Sequence, residues 1–334
     1  MERKRRLVLA FVALAVLAFL ALLVLSTGRR SARLLLPDPN GYDDFIKASG
    51  AAVGDVANWF ALDQDGLRGL VSANAEALRL FRLGLTRQCS LPTDSAMTNL
   101  SGMLHDFASL KRLAQLLAAE AQLREMDNEP ARAALIYAEV VHFGNELSRG
   151  GFLINRLVGI ACESIGCGPL AKLVPRLKSD EAHSVITELQ KVDSARVTWD
   201  EVRRNENRFC RYQMGKSFNP IAWGMTWWQR WRSMQQAAVK HKQVMAHERL
   251  LMTELALRCY RSEKSHLPAR LDELVPGYLS NVPQDPFSGR PLIYRPQGKN
   301  WLLYSVGLDG LNDGGKPAGR GPSTKGDLFY DSVW

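Results

Sequence analysis

Cysteine is scarce in this chain, and its few copies are scattered. Five cysteines occur among 334 residues, and none of them belongs to a CxxC pair or to a Cys/His cluster. Disulfide scaffolds and structural zinc sites both require cysteines that are numerous or closely spaced. The sequence therefore predicts neither a disulfide framework nor a zinc site. The five positions are Cys89, Cys162, Cys167, Cys210 and Cys259.

Catalytic and nucleotide-binding motifs are also missing. The chain contains no GxSxG and no HExxH sequence. Residues 215–217 match the end of a phosphate-binding P-loop, but Cys210 occupies the position where that loop requires its first glycine. The acidic sequence at 180–183 is typical of the first turn of a helix. His241 and His247 are six positions apart, so they do not share a helical face. We therefore predict no nucleotide site and no catalytic activity.

One long apolar run stands at the N-terminus. Nineteen consecutive apolar residues, 7–25, follow four basic residues at positions 3–6. As a helix this run is about 28 Å long, close to the thickness of a hydrocarbon core. Signal peptides have shorter apolar regions and a small-residue cleavage site, so we favour an uncleaved single-span anchor over a signal peptide. The basic N-terminus favours an inside orientation, which places the bulk of the chain outside the inner (cytoplasmic) membrane. The unpaired cysteines argue mildly for a reducing compartment instead.

Residues 36–215 show helical periodicity and no strand-like alternation. Hydrophobic residues at 46% and charged residues at 23% are ordinary for a folded chain. The apolar side chains at 103, 107, 110, 114, 117 and 121 follow a 4-3-4-3-4 spacing, which is typical of one helix packed on another. We predict further helices at about 64–85, 179–192 and 194–214, and an antiparallel helical domain. No 34-residue repeat is present, so a repeat array is not predicted.

A basic, tryptophan-rich connector is predicted at 216–242. No acidic residue occurs from 207 to 247, and the whole chain carries a net charge of +9, which favours anionic partners. Three interpretations fit the tryptophans: they cap the core, they lie in a membrane interface, or they stack on single-stranded nucleic acid, which is the least favoured. The candidate membrane-interface residues are Trp223, Trp227, Trp228, Trp231, Arg230 and Arg232.

The C-terminal residues 243–334 carry the most specific pattern. A helical run at 247–264 is followed by Leu-Pro at 267–268, Asp-Pro-Phe at 285–287, Leu-Ile-Tyr at 292–294, Leu-Tyr-Ser-Val-Gly-Leu-Asp-Gly at 303–310 and Gly-Asp-Leu at 326–328. In order and spacing these pieces resemble the globular domain of type II secretion major pseudopilins and related type IV pilin-like proteins. The resemblance implies a long helix packed on a three-stranded antiparallel sheet.

The residues themselves also indicate strands in this part of the chain. Runs at 291–295 and 301–306 are rich in strand-forming residues, and a turn-like segment joins them at 296–300. We expect the third strand at 326–330.

In the pseudopilin family, the loop before the last strand can bind calcium. Calcium prefers six to eight oxygen ligands, and Asp309, Asn312, Asp313 and Asp327 offer side-chain oxygens here. The alternative is that these residues are ordinary turn formers. The loop also holds three basic residues, Lys316, Arg320 and Lys325, which weakens the match. Calcium is the only cofactor that the sequence suggests.

The order of the parts departs from that family. A pilin carries its apolar helix directly ahead of the globular head, whereas here the apolar run ends at Leu25, more than 200 residues upstream. No pilin processing motif precedes the run, so filament assembly is disfavoured. The layout is similar to that of membrane-anchored bacterial proteins of unknown function. We predict a mostly α chain: an anchor at 1–35, a helical domain, the connector and a small α+β module.

That architecture predicts a scaffold or binding protein at the cell envelope, with the lipid bilayer and other envelope proteins as partners. An accessory subunit of a secretion or pilus-like apparatus is the alternative, and an envelope hydrolase comes third.

Overall fold

The computed structural model describes residues 36–93, 100–216, 220–319 and 325–332. Within these residues the chain is mostly helical, as predicted, and ends in a small antiparallel sheet. The predicted anchor at 7–25 lies outside the described residues. The elements are α1 (Gly41–Ala51), α2 (Gln64–Ala73), α3 (Ala75–Leu85), α4 (Leu100–Met126), α5 (Pro130–Ser148), α6 (Leu153–Leu173), α7 (Ser179–Ser194), α8 (Trp199–Lys216), α9 (Pro220–Lys264), β1 (Ile293–Gln297) and β2 (Asn300–Tyr304).

The helix expected at 64–85 is two helices, α2 and α3, which meet at Asn74. The Asn74 side chain accepts a hydrogen bond from the N–H of Val53 at 2.8 Å and donates to the carbonyl oxygens of Val53 and Leu70. Asparagine competes with the helical backbone in this way because its short amide reaches neighbouring backbone groups. The break was not visible in the apolar periodicity, which continues across it.

Helix α4 buries the seam that its spacing predicted. Phe107 and Leu110 are almost fully buried, and Ala114, Leu117 and Ala121 are completely so; the Met103 side chain lies outside the description. The helix packs against α5 and α6. One hydrophobic core then continues from Tyr42 in α1 to Leu303 in β2, so the helical part and the C-terminal part share a single interior.

Helices α5 and α6 approach each other closely at a pair of glycines. Gly144 on α5 and Gly159 on α6 face each other, and a Cβ added at Gly144 would lie 2.5 Å from the carbonyl oxygen of Gly159 and 2.8 Å from the backbone nitrogen of Glu163. Both atoms belong to the backbone of α6, so no side-chain rotation relieves the clash. The two glycines therefore set the distance between the helices.

Replacing Gly144 by alanine should destabilise the fold by about 1–3 kcal/mol, because the added methyl group forces α5 away from α6. Thermal unfolding of the purified chain measures this loss. Gly69→Ala is the matched control, since Gly69 lies within α2 and an added Cβ meets nothing within 4 Å. That control should be neutral or stabilising by up to about 1 kcal/mol. Similar melting of the two variants would show that the glycine contact does not limit the packing.

Among the described helices, only α6, taken together with the short turn that follows it (Leu153–Arg176), has the length and apolar composition needed to cross a membrane. Its position is that of a core helix. More than half of its most apolar window is buried inside the protein, and it packs on α4, α5, α8 and α9.

Helix α9 is much longer than the run expected at 247–264. It contains 45 residues, begins at Pro220 and passes through the positions where the connector and the C-terminal module were predicted to meet. At 1.5 Å per residue its length is about 68 Å. Its second half packs on α6 and α7 and then on β2.

The sheet has two strands among the described residues, not three. β1 and β2 pair in antiparallel register, with Ile293 opposite Tyr304 and Gln297 opposite Asn300, around a turn at 298–299. The third strand expected at 326–330 is reduced to two isolated bridges, Asp327 with Pro317 and Leu328 with Ser305. Ser305 and Leu328 exchange hydrogen bonds of 3.0 and 2.9 Å. A turn follows at once, since the Ser332 N–H donates to the Phe329 carbonyl oxygen and the Phe329 N–H donates to Ser332 Oγ. That turn directs the chain away from β2.

Candidate functional site

The first half of α9 presents an exposed, aromatic surface. Of the nine residues 228–236, seven are exposed and none is buried; we call this stretch the basic tryptophan segment. Trp228 and Trp231 are 54% and 46% exposed, and their rings stack with centroids 5.2 Å apart at an angle of 20°. The interpretation that tryptophans here cap the core is therefore wrong for these two. The side chains of Trp223 and Trp227 lie outside the description.

The charge of this surface is positive. Arg230 and Arg232 flank Trp231, and the acid-free stretch from 207 to 247 contains them both. Arg230 also forms a side-chain hydrogen bond with Cys210, which brings α8 next to α9 at this point. Burial raises the pKa of the Cys210 thiol to about 11, so this cysteine stays protonated and inert near neutral pH. The surface thus combines apolar rings with fixed cations.

The predicted calcium residues lie in the C-terminal loop, but their oxygens already serve the protein backbone. Both carboxylate oxygens of Asp327, which is fully buried, accept N–H groups, from Asp313 at 3.4 Å and Gly315 at 2.7 Å. Asp313 accepts in turn from the Gly326 N–H at 3.0 Å. Asp313 and Asp327 are therefore brought together by hydrogen bonds across the loop.

The other two candidates point elsewhere. The Asn312 side-chain oxygen accepts from the Tyr304 hydroxyl and the Gly314 N–H, and Asp309 accepts from the Leu311 N–H. These are the bonds of turn-forming residues. The described residues contain no group of three His, Cys, Asp or Glu side chains arranged to hold a metal. Calcium binding stays a prediction of the family resemblance.

Sequence reasoning missed a buried charge network between α6 and α9. Arg156 and Glu163 are fully buried on α6 and form a two-bond ion pair at 2.6 and 3.0 Å. The Arg156 Nε–H also donates to His241 Nδ1 on α9 at 2.9 Å. Arg196, from the connection between α7 and α8, pairs with Glu248 of α9 and lies 3.6 Å from Glu163.

A signal for this network was present in the sequence. Arg156 and Glu163 are seven positions apart within an otherwise apolar helix, and so are His241 and Glu248 on α9. A spacing of seven is about two helical turns, so each pair lies on one face. The network fixes α9, which leads into the sheet, against the core of the helical domain. Its charged members are buried and pair mainly with one another.

Comparison with known proteins adds no relative: no family model, no curated protein and no solved structure matches this chain. The likeness to pseudopilins therefore remains a resemblance in the order of sequence pieces. A helix that leads into antiparallel strands is present, but the three-stranded sheet that the resemblance implies is not seen among the described residues.

Proposed function

We propose that this chain is a non-catalytic, membrane-anchored binding protein of the cell envelope, and that the basic tryptophan segment lies on the surface of an anionic bilayer. The observation that carries the proposal is the exposed, stacked pair Trp228 and Trp231 beside Arg230 and Arg232. Tryptophan prefers the headgroup layer because its ring is apolar and its N–H is polar. The anchor predicted at 7–25 would hold the chain at that membrane in an inside-to-outside orientation.

The free energies involved favour contact between the basic tryptophan segment and the lipid once the anchor has brought the chain to the bilayer. Each basic residue near an anionic surface contributes about 1 kcal/mol. The anchor also makes lipid contact an intramolecular event, which raises the effective concentration of the surface. Two arginines and two exposed indoles then provide enough attraction to hold the segment against the lipid.

Quenching of tryptophan fluorescence by brominated lipids tests the proposal on the full chain in proteoliposomes. Residues 1–35 contain no tryptophan, so the anchor itself contributes no quenching. We expect stronger quenching in anionic than in uncharged bilayers. The double variant Arg230→Glu/Arg232→Glu should lose at least about 2 kcal/mol of attraction, which shifts the ratio of docked to free segment about thirtyfold.

The matched control changes the same number of charges elsewhere. Arg132 and Arg270 have side chains that are 62% and 80% exposed, far from the segment in the sequence. Arg132→Glu/Arg270→Glu should quench like the parent chain. Equal quenching in uncharged and anionic bilayers, or equal loss in both double variants, would contradict membrane contact by this segment.

A further inference from the structure

The outer edge of β2 is unpaired over part of its length. Ser305 exchanges both of its backbone bonds with Leu328, so its N–H and C=O point away from β1. Backbone groups two positions apart on a strand point the same way, so those of Leu303 and Trp301 point outward too. The register agrees, because Trp301 lies opposite Pro296, which has no N–H to offer. Among the described residues, none bonds to these two outward N–H groups.

The described residues that follow Leu328 do not pair with this edge. Continued pairing beyond Leu328 would set Tyr330 opposite Leu303, but the turn at 329–332 prevents it. Within the described part of the chain, the strand edge is therefore open between Trp301 and Leu303, at the place that a third strand would occupy. An open edge of this kind is a template for pairing with another extended segment.

A groove of about 310 Å³ runs along this open edge. One wall consists of Glu254, Arg258 and Arg261 on α9, the other of strand residues 300–303, and Phe329 and Tyr330 close one end. We call it the edge groove. Glu254 holds two of the lining groups in place, because its carboxylate accepts from Arg258 Nε and from Trp301 Nε1, each at 2.8 Å.

Arg261 supplies the charge that this groove leaves uncompensated. Its guanidinium lies 4.8 Å from the centre of the Trp301 ring and donates one bond of 3.3 Å to the Lys299 carbonyl oxygen. No carboxylate of the described residues forms an ion pair with it. Stacking on the indole keeps the guanidinium plane fixed, so its remaining N–H groups face a ligand without further loss of side-chain entropy.

We propose that the edge groove binds an extended, acidic segment of a partner protein, which adds to β2 as the third strand of the sheet. The partner's backbone bonds to the outward groups of Trp301 and Leu303, and its carboxylate pairs with Arg261. The open edge spans about three residues of an added strand. This site is separate from the basic tryptophan segment and does not depend on lipid contact.

The test uses the full chain in detergent and a fluorescein-labelled peptide of alternating valine and glutamate as the probe. Binding is followed by fluorescence anisotropy, and hydrogen exchange of the outward amides of Trp301 and Leu303 is followed by mass spectrometry with fragmentation. We expect the peptide to bind and to slow exchange in this segment.

A peptide of alternating valine and lysine should not bind, and neither should a valine–glutamate peptide whose alternate backbone nitrogens are methylated. Arg261→Glu should weaken binding about tenfold or more, since a hydrogen bond to a charged group is lost. Arg270→Glu, in the same module, should not.

Four outcomes would overturn the proposal. The valine–glutamate peptide does not bind, or the methylated peptide binds as well as the parent peptide, which would leave charge alone as the cause. The amides of Trp301 and Leu303 already exchange slowly in the free chain, which would mean that the chain's own residues cover the edge. Exchange slows with protein concentration without peptide, which would mean that a second copy covers it. Failure of the lipid-quenching experiment leaves these outcomes unaffected.

Discussion

Replacing Glu163 by glutamine should destabilise the fold by about 3–5 kcal/mol, because it leaves a buried arginine without its counter-charge. Arg156 and Glu163 have no exposed side-chain area, and their two-bond pair lies between α6 and α9. Glutamine keeps the size of the side chain, so the loss comes from charge and not from a cavity. Arg196, also buried, would lose the same neighbour at 3.6 Å.

Thermal or chemical unfolding of the full chain measures this effect. For a chain of this size, the expected loss lowers the melting temperature by about 4–7 °C. The matched control is Glu188→Gln, because Glu188 pairs with Lys191 on an exposed face of α7 at 2.7 Å. Exposed pairs of this kind contribute less than about 1 kcal/mol. If both variants melted together, the buried pair would not be a main support of the fold.

A second variant separates the cost of an orphaned charge from the value of the pair. Arg156→Leu/Glu163→Leu removes both charges, and apolar replacements of buried ion pairs are often close to neutral. Recovery should be partial here, because Arg156 also donates to Ser148 and His241. A double variant less stable than Glu163→Gln would indicate that the network contributes more than charge balance.

The sequence was informative where structure is local. Helical spacing predicted α4 and its buried face, because residues three and four apart meet whatever the rest of the chain does. The break at Asn74 was missed because it depends on Val53, a residue 21 positions away. The prediction of a third strand failed although the cause is local: a turn closed by Ser332, three positions after Phe329, sets the direction of the chain after Leu328.

The candidate sites show the same division. Composition identified the basic, aromatic stretch around Trp231. Only the exposed fraction of its side chains in the fold could decide whether the stretch caps the core or forms an exposed surface. The pairing within the ion network could not be predicted, because the bond between Arg156 and His241 joins residues 85 positions apart. The spacing of seven on each helix could have restricted the candidates, but only the fold selects the partners. The edge groove could not be predicted either, because it exists only where an expected strand is missing.

Acid should destabilise the protein steeply below pH 6.5, because two buried histidines resist protonation. Burial and, after it, the nearby charges of Arg156, Arg196, Arg249 and Lys242 together lower the pKa of His241 to about 3. Burial lowers the pKa of His247 to about 4. In the unfolded chain both imidazoles titrate near their ordinary value of about 6.5.

The direction of the pH dependence of stability follows from proton uptake on unfolding. Between pH 6.5 and 4 the unfolded state binds protons that the folded state refuses, so stability is fully present above pH 6.5 and is lost as pH falls towards 4 and then 3. Below pH 6.5 each histidine lowers the free energy of unfolding by about 1.4 kcal/mol per pH unit, so the two together lower it by about 4 kcal/mol at pH 5. The geometry gives the reason for His241, since its Nδ1 accepts the Arg156 Nε–H and has no room for a proton of its own.

Chemical unfolding at pH 7 and pH 5 measures the loss. His241→Gln keeps an acceptor for Arg156 and removes one titrating group, so the loss between these pH values should fall to about half. His105→Gln is the control, because His105 is exposed on α4 and its replacement should leave the acid loss unchanged. An undiminished loss in His241→Gln would place the acid sensitivity elsewhere, and equal stability at the two pH values would show that neither imidazole stays neutral through burial.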